Sequence, residues 1–241
     1  MKIDSRNVGP GTDAFCIAEI SANHNGSLEA ALELIQLASK CGADAVKIQT
    51  YTADTLTMDC DAEPFQIGAE TIWEGQTLYS LYEKAYTPWD WHEKLFAEAK
   101  KAGISIFSTP FDDTAVDFLE TFDPPAYKIA SFELVHHDLL RKVASTGRPV
   151  IMSTGMATLR EISEAVEVLR DSGCMSLALL KCTSGYPAEP SEMNLRTIPE
   201  MAKVFDLPVG VSDHTQGIAV PVAAVTLGAC IVEKHFVRSR A

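Results

Sequence analysis

Eight short apolar runs recur along the chain, and between most of them the apolar positions repeat at a helical spacing of three to four. The strand-like runs cover 15–21, 45–50, 105–111, 126–131, 149–155, 177–183, 208–214 and 230–236. Helical patterns occupy 28–40, 89–102, 115–122, 134–145, 159–172 and 193–205, and the Ala- and Val-rich run 217–228 is long enough for one more. Glycine marks the return from helix to strand at Gly42, Gly103 and Gly173. Eight strands in strict alternation with helices predict a parallel (β/α)8 TIM barrel, one domain over 1–241. An open doubly wound sheet is the alternative, but it normally carries a Gly-rich phosphate loop after an early strand, and the sequence has none.

Two stretches depart from the repeat. The segment 51–88, rich in aromatic and acidic residues, separates the second strand from its helix. A loop this long in a compact domain usually serves function, and in a barrel it would stand over the active face. The chain stops five residues after Phe236, so the eighth helix is expected to be truncated. Apolar surface would then lie bare unless a partner chain covers it.

Composition narrows the function. Twenty basic residues against 33 acidic ones leave a formal charge of −13, which argues against nucleic acid and anionic membrane as partners. Six scattered cysteines without CxxC spacing read as free thiols in a reducing compartment. The first barrel strand is expected near Phe15 with no basic, apolar leader before it, and no apolar run approaches the roughly 18 residues of a membrane span. A cytoplasmic protein is expected.

In such barrels the chemistry gathers at the carboxyl ends of the strands. Those ends carry Glu19, Lys47, Gln49, Thr109, Lys128, Ser131, Lys181, Ser212, His214, Lys234 and His235, with Glu133, Ser184 and Tyr186 close behind. A lysine inside an apolar strand needs an anion or a carboxylate for its ammonium. Four of them, Lys47, Lys128, Lys181 and Lys234, point to an anionic ligand rather than to four structural ion pairs. Glu19, Glu133 and Glu233 would neutralise these lysines or move protons. Period-two alternation puts Ser212 with His214 on one face and Glu233 with His235 on another, so two imidazoles on neighbouring strands can converge on a metal, a phosphate or a proton. Lys128 has the opposite parity to Ser131 and Glu133, and can join them only where its strand ends or bulges.

Taken in order, the strand-end motifs resemble the sialic acid synthase family, the N-acetylneuraminate and pseudaminate synthases. They are Ile17-Ala-Glu-Ile-Ser-Ala-Asn-His-Asn-Gly26, Ala45-Val-Lys-Ile-Gln49, Phe107-Ser-Thr-Pro-Phe111, Tyr127-Lys-Ile-Ala-Ser131, Ser153-Thr-Gly-Met156, Cys182-Thr-Ser-Gly-Tyr-Pro187, Gly210-Val-Ser-Asp-His-Thr215 and Glu233-Lys-His-Phe236. Ile72-Trp-Glu-Gly-Gln-Thr-Leu-Tyr79 and Ala85-Tyr-Thr-Pro-Trp89 look most like the pseudaminate branch.

The resemblance implies condensation of phosphoenolpyruvate with an N-acetylated amino sugar, a 2,4-diacetamido-trideoxyhexose in the pseudaminate branch. The products are a nine-carbon 2-keto acid and phosphate. It implies a divalent metal (Mn, Mg or Co) on His214 and His235, and phosphoenolpyruvate contacts from Lys128, Ser131, Ser212 and Thr109. Glu19, Lys47, Gln49, Glu133, Ser184 and Tyr186 would surround the sugar and the reacting carbonyl; some relatives carry asparagine at the position of Ser184. Proton transfer would fall to Glu133 or Glu19. The family also carries a small C-terminal antifreeze-like domain that reaches across a homodimer and delivers an arginine, and this sequence stops short of it. Three alternatives stay open: N-acetylneuraminate synthesis from N-acetylmannosamine, a Schiff-base aldolase using Lys128 or Lys181, and a non-catalytic barrel that binds a sugar or an anion.

Overall fold

The computed structural model describes residues 1–68 and 74–239; Ile72 and Trp73 of the pseudaminate-like motif lie outside that range. Ten strands are described. Two very short ones, β1 (Lys2–Ile3) and β2 (Arg6–Asn7), form an antiparallel hairpin ahead of the first barrel strand. The chain's first strand is therefore not the one near Phe15. Two residues per strand are too few to show any alternation.

The remaining strands close a parallel barrel: β3 (Phe15–Glu19), β4 (Ala45–Thr50), β5 (Ser105–Pro110), β6 (Tyr127–Ile129), β7 (Val150–Ser153), β8 (Leu177–Cys182), β9 (Val209–Asp213) and β10 (Ile231–His235). β10 pairs with β3 from Ile231↔Phe15 to His235↔Glu19, which seals the ring. The (β/α)8 expectation holds, each strand falling within about two residues of its predicted span.

Helices α1 (Leu28–Lys40), α4 (His92–Ala102), α5 (Asp113–Glu120), α6 (His137–Ser145), α7 (Leu159–Asp171), α8 (Thr197–Phe205) and α9 (Ala219–Thr226) cover the outside. Their starts follow local chemistry. Ser27 Oγ accepts from Ala30 N–H, Asp112 accepts from Thr114 and Ala115 N–H, and Thr158 with Glu161 forms a reciprocal capping box. The 51–88 segment carries two helices of its own, α2 (Ala53–Leu56) and α3 (Leu78–Ala85). Among the described residues no helix follows β10, and α9 exposes Val222 and Val225, with Ile218 just before it, on an uncharged face.

Period-two alternation sorts the barrel residues. The outward set (Val46, Ile48, Ile106, Tyr127, Ile129, Val150, Met152, Leu179, Val209, Val211) packs under the helices. The inward set is apolar at the amino end: Phe15, Ile17, Ala45, Phe107, Ile151, Ala178, Leu180 and Ile231 pack against Ile3 and Val8 near the hairpin, which plug that end. Gly210 lies in this layer, where an added Cβ would stand 2.6 Å from Ile231 Cβ and 2.8 Å from Leu180 Cδ2. Only glycine fits there. Toward the carboxyl end the same inward positions turn polar, and the site begins.

Candidate active site

Two residues further along six of the eight inward rows stand Glu19, Lys47, Lys128, Ser153, Ser212 and Glu233, around the floor of a cavity of about 510 Å3. All six are buried. Lys47 forms an ion pair with Glu19, and its Nζ donates to Thr109 Oγ1 at 3.1 Å. Thr109 thus lies behind Lys47. Lys128 Nζ donates to Ser153 Oγ at 2.7 Å and to the Ile129 carbonyl at 3.1 Å, and stands 3.6 Å from Glu233 Oε1. Ser212 Oγ donates to the same Glu233 oxygen at 3.2 Å.

Two ammonium groups and two carboxylates make this floor electrically neutral as a set. Burial pulls Lys47 down, but Glu19 and Glu233 outweigh it and hold the ammonium above its ordinary value. Burial lowers Lys128 and raises Glu19. Burial would raise Glu233 too, yet Lys128 and Lys47 outweigh it and keep that carboxyl low. Glu133 opens a 3-10 turn (Glu133–Val135) behind the cavity wall. Burial pushes its pKa up, and its Oε2 has no hydrogen-bond partner.

Two of the four strand lysines do not belong to this floor, which corrects the four-lysine argument. On β8 it is Leu180 that faces inward, so Lys181 faces out and donates to the Cys182 carbonyl and Thr183 Oγ1. On β10 Glu233 faces inward, and the Lys234 ammonium goes instead to Asp213 and the Thr215 carbonyl. His24 also turns away from the cavity: its Nδ1 accepts from Gly26 N–H and its ring meets Trp91 edge-on.

The condition set on Lys128 is met. β6 ends at Ile129, so the chain is free to turn and bring Ser131 beside Lys128 on the cavity wall. Ser131 Oγ accepts from Gly155 N–H at 3.1 Å. A Cβ on Gly155 would strike the Ser184 hydroxyl and come within 2.8 Å of Ser131 Oγ, so glycine keeps both hydroxyls at the cavity. Gln49 lines the wall with its amide oxygen taken by Ser21 Oγ at 3.2 Å.

His214 and His235 stand on the same cavity, ring centroids 5.6 Å apart, with Tyr186 over His214 at 4.1 Å and edge-on to His235 at 5.9 Å. His214 Nδ1 lies 2.9 Å from the Thr183 carbonyl; a carbonyl cannot donate, so Nδ1 carries a proton and Nε2 is the nitrogen left to face a ligand. Burial pulls this ring down, but the Cys182 thiol beside it outweighs burial and holds His214 above its ordinary value. Burial, with His214 and Lys47 nearby, holds His235 down to about 4, so it is neutral at physiological pH. Imidazole ligates a metal in its neutral form, which His235 already holds and which His214 reaches once Nε2 gives up its proton. Among the described residues no cluster of three His, Cys, Asp or Glu donors forms, so an ion here would take two imidazoles and fill its shell with water or substrate oxygens. The donor set fits such an ion.

Cys182, read from the sequence only as one of six free thiols, also stands on the cavity. It shares the inward parity of Leu180, and although burial raises its pKa, His214 outweighs this and brings it to about 7. Leu81, Tyr82 and Ala85 of α3 and the exposed Phe132 also line the cavity. The sequence placed the 51–88 segment over the active face, but only its path in space shows that Leu81, Tyr82 and Ala85 are the residues that reach the cavity, and only the turn after β6 brings Phe132 there.

Comparison with known proteins bears on the whole chain. It is 49% identical over 222 residues to pseudaminic acid synthase of Campylobacter jejuni, covering 92% of this chain and 64% of that protein. It is 43% identical over 224 residues to the Helicobacter pylori pseudaminic acid synthase, covering 93% and 66%. The chain thus spans a little under two thirds of the length of these relatives. The crystal structure of N-acetylneuraminic acid synthetase from Leptospira borgpetersenii superposes with a TM-score of 0.87 at 32% identity, over 100% of this chain and 79% of that one. The NeuB family pattern matches residues 34–241, and the chain belongs to the NeuB family.

Proposed function

We propose that the protein condenses phosphoenolpyruvate with a 2,4-diacetamido-trideoxyhexose to give a pseudaminate-type nine-carbon 2-keto acid and phosphate. The observation that carries this is the meeting, on one cavity, of two buried lysines among serine hydroxyls with a pair of imidazoles 5.6 Å apart. Identity of 43–49% to pseudaminic acid synthases supports the choice of sugar.

In this mechanism carbon three of the enol attacks the sugar aldehyde, whose oxygen gains a proton as carbon two becomes cationic. Water adds to carbon two, and the adduct breaks its C–O bond to release phosphate. Lys128 and Lys47, with the hydroxyls of Ser131, Ser153 and Ser212, hold the anionic enol phosphate in attack geometry. Proton exchange with the incoming water and the aldehyde oxygen is assigned to Glu133, which stands behind the cavity wall with one unpartnered oxygen and would have to turn toward the substrate, or to Glu19, which lines the cavity and is held by Lys47. Tyr186 and Gln49 wall the sugar side. A divalent ion (Mn, Mg or Co) held by His214 and His235 would supply Lewis-acid polarisation of the aldehyde. Because the floor lysines are already matched by carboxylates, a substrate carrying two or more negative charges favours an added cation beside it.

A Schiff base is not favoured: Lys181 faces outward, and the Lys128 ammonium is held by Ser153, Ile129 and Glu233. The proposal includes a homodimer and a cytoplasmic setting, the latter supported by six unpaired cysteines. No helix among the described residues is long and apolar enough to cross a membrane. Phosphate release from phosphoenolpyruvate, measured against a panel of 2-acetamido sugars with mass spectrometry of the products, tests the reaction. Release with no member of the panel, under any of the three metals, would reject it.

A further inference from the structure

The cavity changes character from floor to roof. Its floor is the charged set around Lys47 and Lys128, whereas its roof is α3, whose Leu81, Tyr82 and Ala85 lie on one helical stripe and line the cavity. None of the eight residues of α3 is buried. An amphipathic helix normally hides its apolar stripe in a core; here the stripe looks onto the cavity instead. Tyr82 holds the roof in place, its ring edge-on to the buried Tyr51 at 5.9 Å, and Tyr51 in turn meets Phe111 at 5.3 Å. Phe132, 66% exposed, adds a second apolar surface to the same wall.

We propose that the stripe of Leu81, Tyr82 and Ala85 is the wall that selects the sugar. It receives the methyl-bearing end of a deoxygenated, doubly acetamidated hexose and disfavours a hexose with a hydroxymethyl and a free hydroxyl at that end. The inference rests on the function proposed above. With the anionic enol on the lysines and the aldehyde beside the two histidines, the far carbons of the sugar must extend away from the floor, and apolar roof is what they meet. A 2,4-diacetamido-trideoxyhexose offers a C6 methyl and a second acetyl methyl in that direction. N-acetylmannosamine offers two hydroxyl-bearing carbons, whose hydrogen bonds to water would be lost against Leu81 and Ala85 without replacement.

The test is a competition in one mixture. The enzyme is given phosphoenolpyruvate with equal amounts of the diacetamido sugar and N-acetylmannosamine, and both keto acids are counted by mass spectrometry. The unsubstituted enzyme should favour the diacetamido sugar, and Leu81→Asn should lower the ratio of the two kcat/KM values by about tenfold or more. The KM for phosphoenolpyruvate should stay within about twofold, and Leu81→Met should keep the original ratio. If circular dichroism shows Leu81→Asn unfolded, Ala85→Ser carries the same comparison. A ratio unmoved by substitution, a preference for N-acetylmannosamine in the unsubstituted enzyme, or a KM for phosphoenolpyruvate that rises in step would overturn the assignment. Turnover of neither sugar by the unsubstituted enzyme is a separate result; it would bring down the proposed reaction and this inference with it.

Discussion

Replacing Lys47 by methionine strands the carboxylate of Glu19. Both side chains are 4% exposed, so water cannot take over the role of the ammonium. Removing one member of a buried ion pair costs about 3–5 kcal/mol, whereas replacing both members by apolar groups of similar volume is close to neutral. Lys128 still acts favourably on Glu19 while Glu233 repels it, so a loss of about 3 kcal/mol is expected, at the lower end of that range. Adding Glu19→Leu should recover most of it, a coupling of about 2 kcal/mol or more.

The same reasoning fixes a pH dependence. Burial already holds Glu19 above its ordinary value, and without Lys47 this upward push is unopposed by its main cation. A carboxyl raised in the folded state binds its proton there more tightly than in the unfolded chain. Its neutral form therefore supports the fold at low pH, and that support is lost as pH rises through the folded value. The Lys47→Met deficit should thus be smaller near pH 5 than near pH 8. Urea unfolding of the four variants of the cycle at both pH values measures it; with a slope of about 3 kcal/mol/M the single variant should shift by roughly 1 M at the higher pH. Additive losses in the double variant, or a deficit indifferent to pH, would refute the ion-pair account.

Three further outcomes are expected. His92 is buried, with Nε2 2.7 Å from Thr50 Oγ1, and burial holds it down to about 4. Since the unfolded chain takes up that proton first, near 6.5, stability should fall as pH drops from about 6.5 toward 4, by up to about 3 kcal/mol; His92→Gln should flatten that slope in urea titrations, and an unchanged slope would exclude His92 as its source. His235→Ala should abolish metal-dependent turnover and bound metal measured by atomic emission, and full metal content in that variant would remove His235 from the ligand set. Gly155→Ala, which pushes a methyl against the Ser131 and Ser184 hydroxyls, should raise the KM for phosphoenolpyruvate about tenfold, the worth of roughly one hydrogen bond, with Tm nearly unchanged. An unaltered KM would show that those hydroxyls do not hold that substrate.

Much of this architecture could be read before any coordinates, because a closed parallel barrel writes itself as eight apolar runs with helical stripes between them. Parity carried further than it was pressed. Lys47 shares a face with Gln49, and Lys128 with Ala126, but Lys181 is out of step with Leu180 and Lys234 with Glu233. Counting four lysines at one end passed over the side of the sheet on which each one stands. What stayed illegible depends on where strands stop and how loops travel. The end of β6 at Ile129 decides that Lys128 and Ser131 meet, and the fold of the 51–88 segment decides that Leu81 and Tyr82 roof the cavity. Local sequence codes neither directly. The hairpin β1–β2 escaped for a simpler reason: two-residue strands carry no periodicity.

In the reaction we propose, this cavity joins the enol of phosphoenolpyruvate to a sugar aldehyde and then expels phosphate by breaking the C–O bond. Phosphoenolpyruvate labelled with 18O at the bridging ester oxygen tests it most directly, with both products analysed by mass spectrometry after turnover with the diacetamido sugar. The prediction is that the label leaves in phosphate and that one nine-carbon keto acid, free of label, forms per phosphate released. Label retained in the keto acid, or phosphate released without any keto acid, would contradict it.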